Sequence, residues 1–433
     1  MRLALVGVMA IIGLAGCGSS TTSPSTQHSQ VPSVVPTATS SPPATPTATP
    51  TGTPRPTPTA TPTARTTPKQ TPTPKPTHLP TLAATGRMHL ARVGDTATLL
   101  QNGKVLIAGG SDGGALSVDI YSSAELYDPT TGRFTQTGSM TAARVNQTAT
   151  LLQNGKVLIA GGYGCSSPRS CSNVDVATEK TLASAELYDP KTGKFSPTGS
   201  MATPRADAAA ALLPDGRVLV TEGGDFSGQA ELYDANSGKF TPTGTEIGFI
   251  NASATLLQNG KVLVTGGDMY GPPQGALYDE ANGKFTKISL ELAPGVASTA
   301  KYKGQAVDRL WSGPITEFQD GRVLLFEGGY LVTYDPATGQ CADAGFISPE
   351  GQWVLPTASL LPDGRVLFVG GYFWSADYIA TAPTSAVLYD PSNGSQTIVP
   401  LQIQWVNNTA TLLASGSVLI SGDGDTYAEL FKP

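Results

Sequence analysis

The chain has 433 residues, 27 Lys and Arg against 33 Asp and Glu, and a formal charge of −6. That charge is unevenly spread: residues 1–80 hold five basic residues (Arg2, Arg55, Arg65, Lys69, Lys75) and no acid, which leaves 22 basic against 33 acidic residues, about −11, for the rest. A body of that sign repels nucleic acid, and no basic patch interleaved with aromatics offsets it, so a nucleic-acid partner is not expected.

At the amino end Arg2 precedes an apolar run, Leu3 to Leu14. The run is too short to cross a bilayer and has the length of a secretory signal's hydrophobic region. Leu14-Ala15-Gly16-Cys17, followed by Gly18-Ser19-Ser20, resembles the bacterial lipoprotein processing box. The resemblance implies a signal peptide over residues 1–16, a lipid on Cys17 and a place on the extracellular face of the bacterial cell membrane. The alternative is an ordinary cleavage site with an incidental Cys. Residues 17–80 are then a stalk of Thr, Pro, Ser and Ala with nothing to build a core from, hence disordered. Proline biases such a chain to polyproline II at ~3.1 Å per residue, so ~60 residues reach on the order of 200 Å when extended.

From residue 81 a pattern recurs seven times. Its clearest copy is Thr148-Ala-Thr-Leu-Leu-Gln-Asn-Gly-Lys-Val-Leu-Ile-Ala-Gly-Gly162, then Ala185-Glu-Leu-Tyr-Asp-Pro190 and Gly193-Lys-Phe195. Two β-type runs, Ala149–Leu152 and Lys156–Ala160, flank Asn154-Gly155, a hairpin signal in which both central residues are expected at positive φ. Ala185–Tyr188 reads as a third strand. Asp189-Pro190 through Gly193 is a turn into a fourth, so each unit is a four-stranded antiparallel meander.

The other hairpins are Asn102-Gly103, Asp215-Gly216, Asn259-Gly260, Asp320-Gly321, Asp363-Gly364 and Ser415-Gly416. The Gly pairs fall at Gly109, Gly161, Gly223, Gly266, Gly328 and Gly370, with Gly422-Asp423 a degenerate seventh, a period of about 52 residues. Such a period, with a Gly pair after an apolar strand and Tyr-Asp-Pro at Tyr127, Tyr188, Tyr334 and Tyr389, resembles the kelch repeat. What it implies is an all-β, seven-bladed kelch-type propeller over residues 81–433, of the galactose-oxidase-like superfamily. The last unit ends at Lys432-Pro433 without a fourth strand. Because Leu82–Val93 aligns on Phe134–Val145 without gaps, residues 82–88 are expected to complete that blade and remove its open edge.

Strand order puts the tight turns on one face and the irregular segments, Ser111–Ser123, Tyr163–Ser184, Tyr372–Ser385 and the insertion Thr286–Pro314, on the other. The irregular face is the expected binding surface, directed away from the membrane. Seven residues before the first Leu of each inner strand stands a ring of Arg92, Arg144, Arg205, Phe249, Leu310, Trp353 and Trp405. Guanidinium and aromatic groups there are candidate channel-facing ligand contacts, or else structural bonds to loop carbonyls. Tyr372, Phe373, Trp374 and Tyr378 form an aromatic loop that reads either as a recognition patch or as a self-packed cluster. Asp112, Asp225 and Asp268, following the Gly pairs, suit turn capping or the channel mouth. Cys165 and Cys171 read as a disulfide, and Cys341 as a buried apolar residue.

Copper radical oxidases of the same superfamily need two His ligands. Of three His, His28 and His78 precede the repeats, leaving His89. No metal site or cofactor is expected. A mutarotase-like carbohydrate enzyme has Glu222, Glu327 or His89 as acid–base candidates; both Glu read as the residue just before a Gly pair. The preferred expectation is a monomeric, lipid-anchored binding module for a glycan or protein ligand; the alternative is that extracellular carbohydrate enzyme.

Overall fold

The computed structural model describes residues 80–433 apart from 114–116, 166–170, 172–173, 176–179, 224–228, 246–247, 268–273, 291–300, 303–304, 307–312, 348–351 and 375–379. The expected signal peptide, Cys17 and the stalk to residue 79 lie outside the described residues, as do Asp225, Asp268, Leu310 and Tyr378. Every regular element described is a β-strand.

Blade 1 is Thr96–Leu99, Val105–Ala108, Ala124–Asp128 and Arg133–Gln136, and blade 2 is Thr148–Leu151, Val157–Ala160, Ala185–Asp189 and Lys194–Pro197. Blades 3 to 6 start from inner strands Ala209–Leu212, Ile250–Leu256, Ile315–Glu317 and Thr357–Leu360. Blade 7 is Asn408–Leu412, Val418–Gly422 and Tyr427–Lys432, and its outermost strand is Thr81–Arg87. Thr81 pairs with Lys432, Leu82 with Phe431 and Ala83 with Leu430, antiparallel, so the two ends of the described chain close the ring as expected. Each inner strand touches those of both neighbouring blades, all the way round.

This architecture has seven cores instead of one. Each sheet is a thin wedge that buries side chains against the next, as where Leu100, Leu106 and Met140 meet Val157, Ile159 and Tyr188. The seventh wedge, Val105, Ile107 and Tyr127 against Leu413, Leu419 and Ala428, seals blade 7 to blade 1. Second strands are buried on both faces, which explains why Val105–Ala108 and Val157–Ala160 carry no charge. A Tyr stands opposite the first Val of the second strand in six blades and a Phe in the seventh. In four of them its hydroxyl reaches a Thr on, or just past, the preceding blade's outer strand, at 2.8 to 2.9 Å.

The Asn-Gly turns differ in one respect from the expected two-residue form. Gly103 has φ 82° while Asn102 does not adopt positive φ, and the Gly103 N–H bonds Leu100 O. The loop is therefore a type I turn closed by a glycine bulge, with Asn102 Oδ1 accepting the Lys104 N–H at 3.1 Å. A second correction concerns Glu222 and Glu327. Strand register equates Val218 and Val323 with Val157, which places both Glu on the first glycine of the pair and not before it. Glu222 accordingly takes φ 58°, close to the 70° of Gly161. A third correction is that blade 4's outer strand runs to Ser289, which shortens the insertion after it.

On the irregular face, Ser117–Val118 of the blade 1 loop pairs with Val174–Asp175 of the blade 2 loop. Cys165 and Cys171 are joined in a disulfide, and Cys171 packs with Val118, Ile120 and Val145. Cys341 is half-buried opposite Tyr334, and burial pushes its thiol up to about 11.

Candidate functional site

The ring of Arg and aromatic residues does not face the channel. Arg92, Arg144, Arg205, Trp353 and Trp405 are 0% exposed and Phe249 is 1%. Arg144 Nη1 donates to Gly161 O (2.9 Å) and Ser184 O (2.8 Å), and its Nη2 to Ser184 Oγ and Glu186 Oε1. Arg92 does the same with Gly109, Ser123 and Glu125, and Arg205 with Glu222 O and Gln229 O beside Glu231. Trp353 Nε1 donates to Gly370 O at 2.7 Å, the same carbonyl place, and Trp405 Nε1 to Glu429 Oε2 at 2.7 Å. The arginines pin the end of the second strand to the third within one blade, while Trp353 holds the second-strand end alone and Trp405 the third strand alone. Their place as channel-facing contacts is corrected, because every polar group they offer is turned into the sheet.

For the aromatic loop the correction covers Tyr372 and Phe373 alone. Tyr372 and Phe373 are buried, and the Phe373 ring lies 5.5 Å from that of Trp353. Trp374 is described as backbone only, paired with Gln352. Asp112 caps its own loop, accepting the Asp119 N–H at 3.0 Å. His89 lies with Nδ1 2.8 Å from Glu125 Oε2. Glu222 is fully buried, and its Oε2 accepts the Phe249 N–H at 2.9 Å. Of Glu327 only the backbone is described, opposite Tyr330.

What faces the channel are residues two to five positions after the ring, the second and third in blades 1 to 3. A cavity of about 510 Å³ opens on the irregular face where the inner strands begin, and every blade lines it. Gly94, Asp95, Asn146, Gln147 and Asp207 form one arc of its wall, and Ala252, Pro314, Leu355, Pro356 and Ala358 form the other. The backbone turns inward there by a left-handed step: Gly94, Asn146, Asp207 and Leu355 have φ of 67°, 57°, 53° and 53°. Gly, Asn and Asp tolerate that region, whereas Leu355 is strained in it, and strain of this kind collects at functional sites. The Gly pair makes room for the step. Gly161 has φ 70°, and a Cβ there would lie 2.3 Å from Arg205 O, while the Gly162 N–H donates to that carbonyl at 2.7 Å.

Burial sets the electrostatics of the mouth. It raises Asp95 to about 6, with the nearby Arg92 opposing, and raises Asp207 against hydrogen bonds from Tyr163 and Asn146. Asp423, behind the blade 7 wall, is raised for the same reason. None of the lining carboxylates or amides was singled out from the sequence. The signal was present: Arg92-Val-Gly-Asp95, Arg144-Val-Asn-Gln147 and Arg205-Ala-Asp207 put αL-tolerant residues at one repeat position ahead of each inner strand.

The kelch motif is found over residues 94–141, from this channel wall to the far side of blade 1. No curated protein sequence matches the chain. Among solved structures it is similar to a fungal alcohol oxidase in complex with copper, at 15% identity and a TM-score of 0.56 over 82% of this chain and 77% of that one. It is similar also to a catalytically inactive virginiamycin B lyase from Staphylococcus aureus with quinupristin, at 13% identity and 0.56 over 82% and 100%. At such identities the likeness is one of fold. The donors here do not fit copper, since the one His of the repeats sits on Glu125, and no three His, Cys, Asp or Glu cluster among the described residues. The chain is a seven-bladed β-propeller carrying a kelch motif.

Proposed function

We propose that this propeller is a binding module that takes a glycan or protein ligand at the channel mouth on its irregular face. The observation behind this reading is the cavity of about 510 Å³ to which all seven blades contribute a residue. One arc offers carboxylate and amide groups and the other a mainly apolar surface broken by Ser253 and Thr357, a division of a ligand pocket between orientation and burial. Display on the outer face of the cell membrane through lipid on Cys17 belongs to the same proposal. So does a monomer, since ring closure already covers every blade face.

The test is a glycan and peptide array probed with the detergent-solubilised full chain and with Ala252→Trp, which fills the cavity from a wall residue that makes no staple. Binding by the first and not the second is expected. Binding that survives the plug would move the ligand off the channel. Asp95 and Asp207 also keep the carbohydrate-enzyme reading open, because buried carboxylates raised toward neutrality suit acid–base work. Turnover of any bound sugar, lost in Asp207→Asn, would decide for the enzyme.

A further inference from the structure

One carboxylate at the mouth is open to the channel. Asp207 is an exposed residue and lines the cavity, whereas Asp95 is 8% exposed. The surrounding blades desolvate Asp207 without covering it, which is why its pKa is raised although solvent reaches it. Its N–H donates to Asn146 O at 3.1 Å, and the Asn146 N–H donates to Gly94 O at 2.9 Å. Main-chain bonds thus string together the left-handed steps of blades 1, 2 and 3, and the side chains they carry hold fixed places on the rim. Tyr163 and Asn146 donate side-chain hydrogen bonds to the Asp207 carboxylate. Asn146 Oδ1 rests over Gly94, where a Cβ would come within 2.2 Å of it, so the glycine of blade 1 makes room for the amide of blade 2.

The charge of the mouth has one sign. Asp95 and Asp207 are the only ionisable groups among the described residues that line the cavity, and no Lys, Arg or His stands with them. Arg92, Arg144 and Arg205 are 0% exposed, each bonded to carbonyls of its own blade. An acidic group on a ligand would therefore meet a desolvated carboxylate with no cation to offset the repulsion. Hydrogen bonding narrows the choice among the ligands that remain. A carboxylate accepts, whereas the Asn146 amide and the Tyr163 hydroxyl both donate and accept. A sugar hydroxyl does both as well; an ammonium or guanidinium only donates, and so would use just part of the cluster. Asp207 also stands where the polar arc meets the apolar one, since blade 4, whose Ala252 and Ser253 line the wall, is its neighbour.

Resting on the proposed binding role of the mouth, we infer that its ligand is an uncharged glycan, with Asp207 as the residue that receives sugar hydroxyls and turns acidic sugars away. The apolar face of the sugar ring lies on the wall formed by Pro314, Leu355 and Pro356.

The experiment is a glycan and peptide array probed with the detergent-solubilised full chain at pH 8, followed by calorimetry on matched pairs. Glucose- and mannose-terminated oligosaccharides are compared with their glucuronic- and mannuronic-acid counterparts. A neutral member is expected to bind tenfold or more tighter than its acidic counterpart. Asp207→Asn keeps the size of the parent residue and tolerates its left-handed backbone but removes its charge, so the gap between the two members should shrink several-fold. Asp207→Ala, lacking every hydrogen bond of the carboxylate, should lose tenfold or more on the neutral member. An acidic sugar bound as tightly as its neutral partner, or a gap left unchanged by Asp207→Asn, overturns the inference. So does an array on which no sugar is bound; if peptides bind there and Ala252→Trp abolishes that binding, the binding module stands and only the glycan falls. If Ala252→Trp changes no binding, the mouth falls as the site as well.

Discussion

In blades 1 to 3 the ring residue is an arginine, and the third-strand place two before the Tyr is Glu125, Glu186 or Glu231; in blades 4 and 6 the same two places hold Phe249 with Ala276 and Trp353 with Val387. Blade 7 is a hybrid in which Trp405 donates to Glu429. The two arcs do one job with unlike chemistry. Arg92 and Arg144 bond the first-glycine carbonyl of their own blade, Arg205 bonds the equivalent Glu222 carbonyl, and Trp353 bonds Gly370 O. What these described positions share is bulk, with a donor in every one but blade 4, whose Phe249 has none. Charge appears only where a carboxylate is opposite to neutralise it, as expected for groups with 0% exposure. The Glu also serves the backbone: Glu186 accepts the Thr141 N–H at 2.8 Å and the Ala142 N–H at 3.1 Å.

The comparison breaks most visibly at Glu186. Glu186→Ala leaves the Arg144 charge buried and two backbone N–H groups without their acceptor, so a loss of about 3–5 kcal/mol is expected in urea unfolding. Importing the blade 6 pair, Arg144→Trp with Glu186→Val, should recover most of that loss. If the double variant is no better than the single one, the two residues are not an interchangeable unit and the contrast between the arcs has another cause.

At the channel the arcs part again, polar against apolar, and here the difference is read by pH. Asp95 titrates near 6 in the folded protein and at its ordinary 3.8 when unfolded. Between those values the native state holds the proton more tightly, so its contribution to stability is present at low pH and is lost as pH rises from about 4 through 6. The ceiling is about 3 kcal/mol. Asp95→Asn should therefore gain on the parent across that window and hold a constant lead above it. A difference that does not change with pH would show Asp95 ionised throughout.

Most of the fold was legible because repetition multiplies weak signals. One Asn-Gly pair or one Tyr-Asp-Pro is a local hint, but seven hairpin turns ending in Gly, spaced about one repeat apart, give strand order, blade count and the missing strand that Thr81–Arg87 supplies. The site was not legible in the same way. Counting from the strands located Arg144 and Trp353 correctly along the chain but not the direction of their side chains, which depends on the left-handed step at Asn146 and Leu355. That step turns the chain so that the ring residue points into the sheet and the residues two and three positions on line the channel. The placement of Glu222 failed for a related reason: a non-glycine at φ 58° hides the Gly-pair position from any reading that looks for glycine.

The smallest effect separates the two tryptophans. Trp353→Phe keeps the ring packed near Phe326 and Phe373 and removes only the N–H that serves Gly370 O, so about 1–2 kcal/mol is expected. In Trp405→Phe the same deletion takes a donor from Glu429, which is 0% exposed and retains the Gln402 N–H at 3.1 Å. A carboxylate stripped of a buried donor costs more than a carbonyl does, so this variant should be the worse of the two, by up to ~3 kcal/mol in all. Because the side-chain change is identical, the gap between them in thermal unfolding measures what the charged partner adds. Equal losses would mean that blade 7 belongs with the aromatic arc and that its Glu429 is held by the backbone alone.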